Sequence, residues 1–409
     1  MMTQKKMTLE QLMKQIGCEK YPERWSDIFD EAMAAYENHE CEVLKPEFYD
    51  EMNSQYGCFE KYGELYKKAA AQIAQDEPLA RFLVLLCMAL EDTDNKNADI
   101  KALGNPVAPT GKKPMGYEMV TGLAVCSQIK GAAERMTKRG LPADKIGEVI
   151  SYAVNCGIDH YKPRHNGEAG YCLMGWAQLY IEGHLFMIKR LEMEFFAKFS
   201  TRAMVFRNAA GEIVTLAHDF PLHRDGYALG SLHFEDEEGA WTPQVEETDD
   251  FFVGHPFNEQ GWVEKEKVSL SKSEWKKVLE KGDPVVSVHI PPTGKLTPEL
   301  VDETLEETRT FLARYYSDFS YKAFFCHSWM MDPQLDEMLG TESNIVKFAR
   351  RFTRLSYQSA GQAIFTFIFM KPDMNFDIKD LPENTTLERK AKQHYLDGKA
   401  IYECGGFFF

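Results

Sequence analysis

The spacing of hydrophobic residues changes near position 190. Within residues 1–186 they recur every three or four positions, which is typical of helices. Residues 82–90 are apolar on every side of such a helix, which predicts a helix at the centre of a bundle. Over residues 191–195 apolar and acidic positions alternate, which indicates a half-buried strand. We therefore predict a helical domain over residues 1–186 and an α/β domain over residues 187–409.

A strand, a turn, a helix and a second strand follow one another between residues 284 and 331. The first strand, residues 285–290, is rich in β-branched side chains and ends at two prolines, which cannot continue a ladder. Thr297 offers an N-cap hydroxyl, and Pro298 occupies the first helical position. Because a helix that begins just after a strand exposes amides to anions, this arrangement suggests a cofactor that contains a nucleotide.

The remaining elements of the second domain alternate between strands and helices. The fold class is therefore α+β, an all-helical N-terminal domain followed by an α/β domain with a central mixed sheet. We predict strands over residues 201–206, 212–217, 352–357 and 363–370, and helices over residues 271–280, 343–350 and 387–395.

Composition narrows the classes of partner. The net charge of −16 argues against binding to nucleic acid, which needs clustered lysine and arginine. No apolar run reaches the ~18 residues of a membrane helix, so no membrane partner is expected. The nine cysteines are odd in number and scattered, which favours a reducing cytoplasm. Neither histidine-rich segment has the close spacing of a metal site, so no metal is expected; these segments are Cys156–Cys172 and His218–Asp225.

Several longer motifs carry a resemblance to a known family. They are His289-Ile-Pro-Pro-Thr-Gly-Lys-Leu296, Cys326-His-Ser-Trp329, Ser343-Asn-Ile345 and Phe348-Ala-Arg-Arg-Phe352. Together they resemble a bacterial family of acyltransferases that joins a helical N-acyltransferase N-terminal domain to a GNAT-like C-terminal domain. The resemblance covers most of the chain and is strongest over residues 180–355.

This resemblance implies that acetyl-CoA or another acyl-CoA is the acyl donor and that a small-molecule amine is the acceptor. It places His289 and Ile290 beside the pantetheine arm. It places the following loop around the phosphates: Thr293, Gly294, Lys295, Leu296 and Thr297. One departure is that the loop begins with Pro291 and Pro292, which lack two amides that a phosphate cradle would use.

His289 is the first candidate for catalysis. Imidazole titrates near neutrality, so this side chain could accept the proton of an amine that attacks a thioester. The alternative is a structural histidine held by hydrogen bonds.

The second strand supplies two further candidates, His327 and Ser328. Neighbouring side chains of a strand point to opposite faces, so Cys326 and His327 cannot form a catalytic pair. We expect Cys326 to be a buried core residue, whereas His327 or Ser328 could face the acceptor. The tyrosine that usually serves as general acid in GNAT enzymes has no counterpart between residues 331 and 350.

Two questions stay open at this point. The missing tyrosine and the proline-containing loop also fit a non-catalytic GNAT-like protein that binds a ligand or a partner. The aromatic C-terminus, residues 405–409, is expected to dock on its own domain or on a second subunit, so a homodimer is one alternative. The arginines at positions 350, 351 and 354 would meet a cofactor phosphate or balance nearby acids, and we favour the second interpretation.

Overall fold

The chain divides near residue 186. The computed structural model describes residues 7–103, 115–232, 237–371 and 374–409. It separates the chain into two units, Met1–Phe186 and Met187–Phe409, each with its own core.

The first unit is helical. Its central helix is α5, in which most side chains are buried, as the all-round apolar pattern predicts. Asp76 caps this helix by accepting a hydrogen bond from the Leu79 amide. No helix among the described residues is both long and apolar enough to cross a bilayer. The helices are α1 Leu9–Ile16, α2 Trp25–Glu37, α3 Pro46–Tyr56, α4 Gly63–Ala74, α5 Glu77–Glu91, α6 Lys96–Ala102, α7 Met115–Cys126, α8 Ile129–Lys138, α9 Ala143–Tyr161 and α10 Met174–Ile181.

The second unit is built from strands and shorter helices. Its strands are β1 Leu185–Ile188, β2 Leu191–Lys198, β3 Ala203–Asn208, β4 Ile213–Ala217, β5 Val245–Glu247, β6 Phe251–Pro256, β7 Val268–Ser271, β8 Trp275–Glu280, β9 Pro284–His289, β10 Ala323–Ser328, β11 Thr353–Ser356 and β12 Cys404–Phe408. Its helices are α11 Pro298–Tyr315, α12 Gln334–Leu339, α13 Asn344–Ala349, α14 Ala363–Phe367 and α15 Thr386–Leu396.

The strands form two sheets. The first has the order β1-β2-β9-β10-β12-β11. In it β9 and β10 are parallel, whereas the pairs β2–β9, β10–β12 and β11–β12 are antiparallel. The second has the order β5-β6-β4-β3-β8, and β7 pairs with β6. Buried side chains from both sheets form a shared core, which includes Val205, Leu279, Val285, Phe325 and Phe407. The predicted α+β class with a mixed sheet is confirmed.

Two predicted elements are wrong. Residues 271–280 were expected to be helical, but Ser271 and Ser273 bond to each other in a turn, after which β8 pairs with β3. Residues 363–370 were expected to be a strand, but the Ala363 amide donates to the Glu403 carboxylate and α14 begins there. In both places contacts distant in sequence outweigh the local pattern. Residues 363–370 form a short apolar run, which fits either a strand or a buried helix.

The aromatic C-terminus forms an inner strand of the first sheet. β12 lies between β10 and β11, with Phe408 beside Phe324 and Phe407 beside Phe325. Phe408 stacks on Phe324 with ring centroids 5.0 Å apart. The expectation that these rings dock within their own domain is confirmed.

Asp332 ties the chain before β12 to the end of β10. Its buried carboxylate accepts hydrogen bonds from the Tyr402 amide at 2.7 Å and from the Gln334 amide at 2.9 Å. Burial raises the pKa of this carboxyl to about 7, against the opposing effect of those hydrogen bonds and of Arg354. The folded protein therefore holds a proton here that the unfolded chain releases near pH ~3.9.

Asp332 is expected to make stability fall as the pH rises. When the pKa of a carboxyl is higher in the folded protein than in the unfolded chain, the group stabilises the folded state. This stabilisation is complete at pH values below the pKa of the unfolded state, and it is lost as the pH rises through the pKa of the folded state. Relative to Asp332→Asn, the wild-type free energy of unfolding should fall by about 3 kcal/mol between pH 5 and pH 8. Urea unfolding of both proteins across this range measures the difference. Parallel pH curves would show that Asp332 does not titrate in this way.

Candidate active site

The parallel strands β9 and β10 stop pairing before they end. Their register runs from Val285 beside Ala323 to Ser287 beside Phe325. Both strands continue beyond these pairs, β9 to His289 and β10 to Ser328. The backbone of β9 after Ser287 therefore has an edge that can receive the amide groups of a ligand.

His289 lies at the end of β9 and pairs with Glu194 of β2. Its Nε2 is 2.8 Å from Glu194 Oε2, and both side chains are half-buried. The carboxylate accepts from Nε2–H and thereby selects the tautomer whose lone pair is on Nδ1. The pairing holds the imidazole in one orientation, which is what a general base needs.

Glu194 is a residue that the sequence analysis missed as part of the site. It lies beside Ser287 in the register of β2 with β9, and Glu192 lies beside His289. The alternating pattern of residues 191–195 already indicates that Glu192 and Glu194 share a face. The pattern does not show which strand lies beside β2 in the sheet.

His327 occupies the neighbouring strand on the same face as His289. Its ring centroid is 3.8 Å from that of Tyr357, and its Nε2 is 3.5 Å from Glu403 Oε2 without the geometry of a hydrogen bond. Burial lowers the pKa of His327, and the positive charge of His289 lowers it further. The negative charge of Glu403 has the opposite effect. The His327 imidazole is therefore neutral at neutral pH.

Cys326 and Ser328 lie on the opposite face of β10, away from the two histidines. Cys326 is fully buried, as predicted, and burial raises the pKa of its thiol to about 12. This thiol is therefore not a nucleophile at neutral pH. The Ser328 hydroxyl accepts a hydrogen bond from the Met330 amide and caps the turn after β10. The structure brings His289 and His327 together but does not bring Ser328 to them.

A small polar cavity borders the face that carries His327. It has a volume of about 190 Å³, and Tyr357, Thr201, Arg202 and Lys281 are among its lining residues. The Thr201 hydroxyl oxygen is buried and has no hydrogen-bond partner among the described residues. Because the Tyr357 ring also contacts the His327 ring, the hydroxyl and cationic groups of the cavity lie next to the site.

The loop that carries the predicted phosphate-binding residues leads into α11. Thr297 caps this helix by accepting from the Leu300 amide at 3.4 Å, as predicted, and Leu296 is buried. Thr293, Gly294 and Lys295 are exposed, and Gly294 has a φ of +65°, which glycine adopts without strain.

Arg190 is a second residue that the sequence analysis missed. It follows β1 and is 8% exposed, and its guanidinium donates to three carbonyl oxygens of the loop. The donor–acceptor distances are 3.0 Å to Pro291, 3.4 Å to Gly294 and 3.1 Å to Lys295. Arg190 therefore determines the conformation of the loop.

The arginines after α12 balance acids, as we favoured. Arg350 and Arg354 both pair with Asp336, at 2.9 Å and 2.7 Å. Arg351 pairs with Asp302 of α11 and donates to the Pro298 carbonyl. Arg351 thus contacts the start of α11, whereas Arg350 and Arg354 contact α12.

Solved structures that superpose on this chain include complexes of an acyltransferase. An acyltransferase in complex with decanoyl-CoA and teicoplanin superposes with a TM-score of 0.61 at 18% identity, covering 98% of this chain and 99% of its own. A mutant acyltransferase in complex with octanoyl-CoA gives a TM-score of 0.59 at 18% identity, with the same coverage. At this identity the likeness shows a shared fold. A comparison with curated proteins gave no match.

Residues 227–408 match the sequence profile of the family described as GNAT-like C-terminal domain. This range contains β9, the loop, α11 and β10. The C-terminal part of the chain is therefore a GNAT-like domain, and the resemblance stated from the motifs is confirmed for it. The helical first unit agrees with the rest of that resemblance.

Proposed function

We propose that the protein is an acyl-CoA-dependent N-acyltransferase, which moves an acyl group from a CoA thioester to the amine of a small-molecule acceptor. The observation that carries this proposal is the His289–Glu194 pair at the place where β9 and β10 stop pairing. The fold adds support, since acyltransferases solved with decanoyl-CoA or octanoyl-CoA match it over 98% of this chain.

The residues present fit a CoA thioester. Beyond Ser287 the edge of β9, including Ile290, can pair with the amides of the pantetheine arm. The loop from Thr293 to Thr297 can receive the phosphates, because its carbonyls are turned toward Arg190 and Lys295 adds positive charge. When bound, the thioester supplies an activated acyl carbonyl.

His289 acts as the general base in this proposal. As the acceptor nitrogen forms its bond to the acyl carbon, His289 Nδ1 takes the proton from that nitrogen, and the C–S bond breaks to release CoA thiolate. Glu194 stabilises the imidazolium that results. Backbone N–H groups of β9 polarise the carbonyl, and solvent returns a proton to the thiolate.

Binding of an acyl-CoA is the first test. We expect calorimetry to give saturable, micromolar binding of decanoyl-CoA or acetyl-CoA to the full chain. Lys295→Glu should weaken this binding about tenfold, because it places a negative charge beside the phosphates. Lys276→Glu is the matched control, since Lys276 is exposed on β8. Failure of both donors to bind would contradict the proposed function, and binding without transfer to any amine would favour a non-catalytic protein.

A further inference from the structure

Arg190 is a buried cation that has no acidic partner among the described residues. It is 8% exposed, and the groups that it contacts through its guanidinium are loop carbonyls. Burial lowers the pKa of Arg190, and no carboxylate among the described residues opposes that effect. Buried arginines are normally paired with an acid, because an uncompensated charge is costly inside a protein. This charge therefore indicates an anion that binds nearby.

The hydrogen bonds of Arg190 also determine where the loop amides point. In a trans peptide the N–H lies opposite to the C=O of the same unit, and the described residues contain no cis peptide. The Gly294 and Lys295 carbonyls point at Arg190, so the N–H groups of Lys295 and Leu296 point away from it. Neither amide donates to any described residue.

The two prolines of the loop fit the same arrangement. The Pro291 carbonyl accepts from Arg190, and the nitrogen of that peptide unit belongs to Pro292, which has no hydrogen to donate. The prolines thus lie in the part of the loop that faces Arg190 through its carbonyl. The amides they remove are not those of Lys295 and Leu296.

We propose that Arg190 is the positioning residue for the diphosphate of the acyl donor. It holds the loop so that the Lys295 and Leu296 amides face the phosphate oxygens, and its charge lies behind the loop as a counter-charge. This inference rests on the proposed function, because the donor is taken to be a CoA thioester. The inference adds that a residue more than one hundred positions before the loop takes part in recognition of the phosphates.

The test compares two donors that differ in their phosphates, decanoyl-CoA and decanoyl-pantetheine. Arg190→Gln keeps hydrogen-bonding capacity but loses the charge and the three-way contact. We expect it to raise the dissociation constant and KM for decanoyl-CoA about 30- to 100-fold. The kcat/KM for decanoyl-pantetheine should change less than about threefold, because that donor has no diphosphate to position.

Two further variants separate this role from a structural one. Arg190→Lys keeps the charge and should recover part of the affinity for decanoyl-CoA, and it carries the comparison if Arg190→Gln does not fold. Lys189→Gln is the matched control, since Lys189 is exposed and pairs with Glu303 and Glu307 of α11. This control should bind both donors as the wild type does.

The outcomes distinguish the inference from the function on which it rests. If wild-type protein binds decanoyl-CoA and Arg190→Gln binds it equally well, the positioning role is refuted and the proposed function stands. If Arg190→Gln weakens both donors to the same extent, Arg190 acts on the fold and not on the phosphates. If wild-type protein does not bind decanoyl-CoA, the proposed function itself fails and this inference falls with it.

Discussion

His289→Ala should lower kcat for acyl transfer from decanoyl-CoA by about 10²–10³-fold. The variant lacks the base that Glu194 orients. The proton of the acceptor amine must then pass to water. Donor binding should change little, because the phosphate loop and the edge of β9 remain. Release of CoA thiol measures kcat, and calorimetry on the same variant measures donor affinity.

Two other variants make this prediction specific. Glu194→Gln keeps the shape of the side chain but removes the charge that stabilises the imidazolium, so kcat should fall about tenfold. His255→Asn is the control, since His255 lies on β6 and contacts the Glu264 carbonyl. It should be as active as the wild type. Full activity in His289→Ala would show that His289 is the structural histidine of the alternative interpretation.

The β9–loop–α11–β10 segment was predictable because its signals are local. A β-branched run, two prolines, a capping threonine and a proline at the first helical position lie within consecutive residues. Each acts on its own neighbourhood, so no knowledge of distant contacts is needed. The structure places β9 within one residue of the predicted bounds and begins α11 at Pro298, as predicted.

The residues that orient this segment were not predictable in the same way. Glu194 reaches His289 across 95 positions, and Arg190 reaches the Pro291 carbonyl across 101. The contact of Glu194 depends on which strand lies beside β9. The contact of Arg190 depends on where the chain turns after β1. A single sequence carries neither the register nor the packing that decides them.

The same limit explains the misassigned elements. Residues 271–280 have the composition of a surface helix, yet β8 forms because β3 offers it a partner. The rings of β12 could be predicted to dock because aromatic side chains are rarely left in water. Their position between β10 and β11 depends on pairing with strands about 50 and 80 residues earlier in the chain.

The helical unit contains a close contact that makes a second large effect predictable. The buried ring of Tyr171 lies against two helical glycines, Gly122 of α7 and Gly157 of α9. The Tyr171 hydroxyl donates to the Ala153 carbonyl at 2.6 Å, which fixes the ring. A Cβ at Gly157 would lie 2.5 Å from this ring and 2.3 Å from the Cys172 carbonyl oxygen. A backbone atom cannot yield as the end of a flexible side chain can.

Gly157→Ala should therefore lower the free energy of unfolding by about 3 kcal/mol, although alanine normally stabilises a helix interior by about 1 kcal/mol. Gly131→Ala in α8 is the matched control, because the atom nearest to its Cβ is Arg135 Nη1 at 3.3 Å, the end of a flexible side chain. This control should be as stable as the wild type or slightly more so. Urea unfolding of the two variants compares them directly. Equal stability would mean that α9 does not pack against residues 171–172 as closely as described, since a steric cost of this kind has no other source.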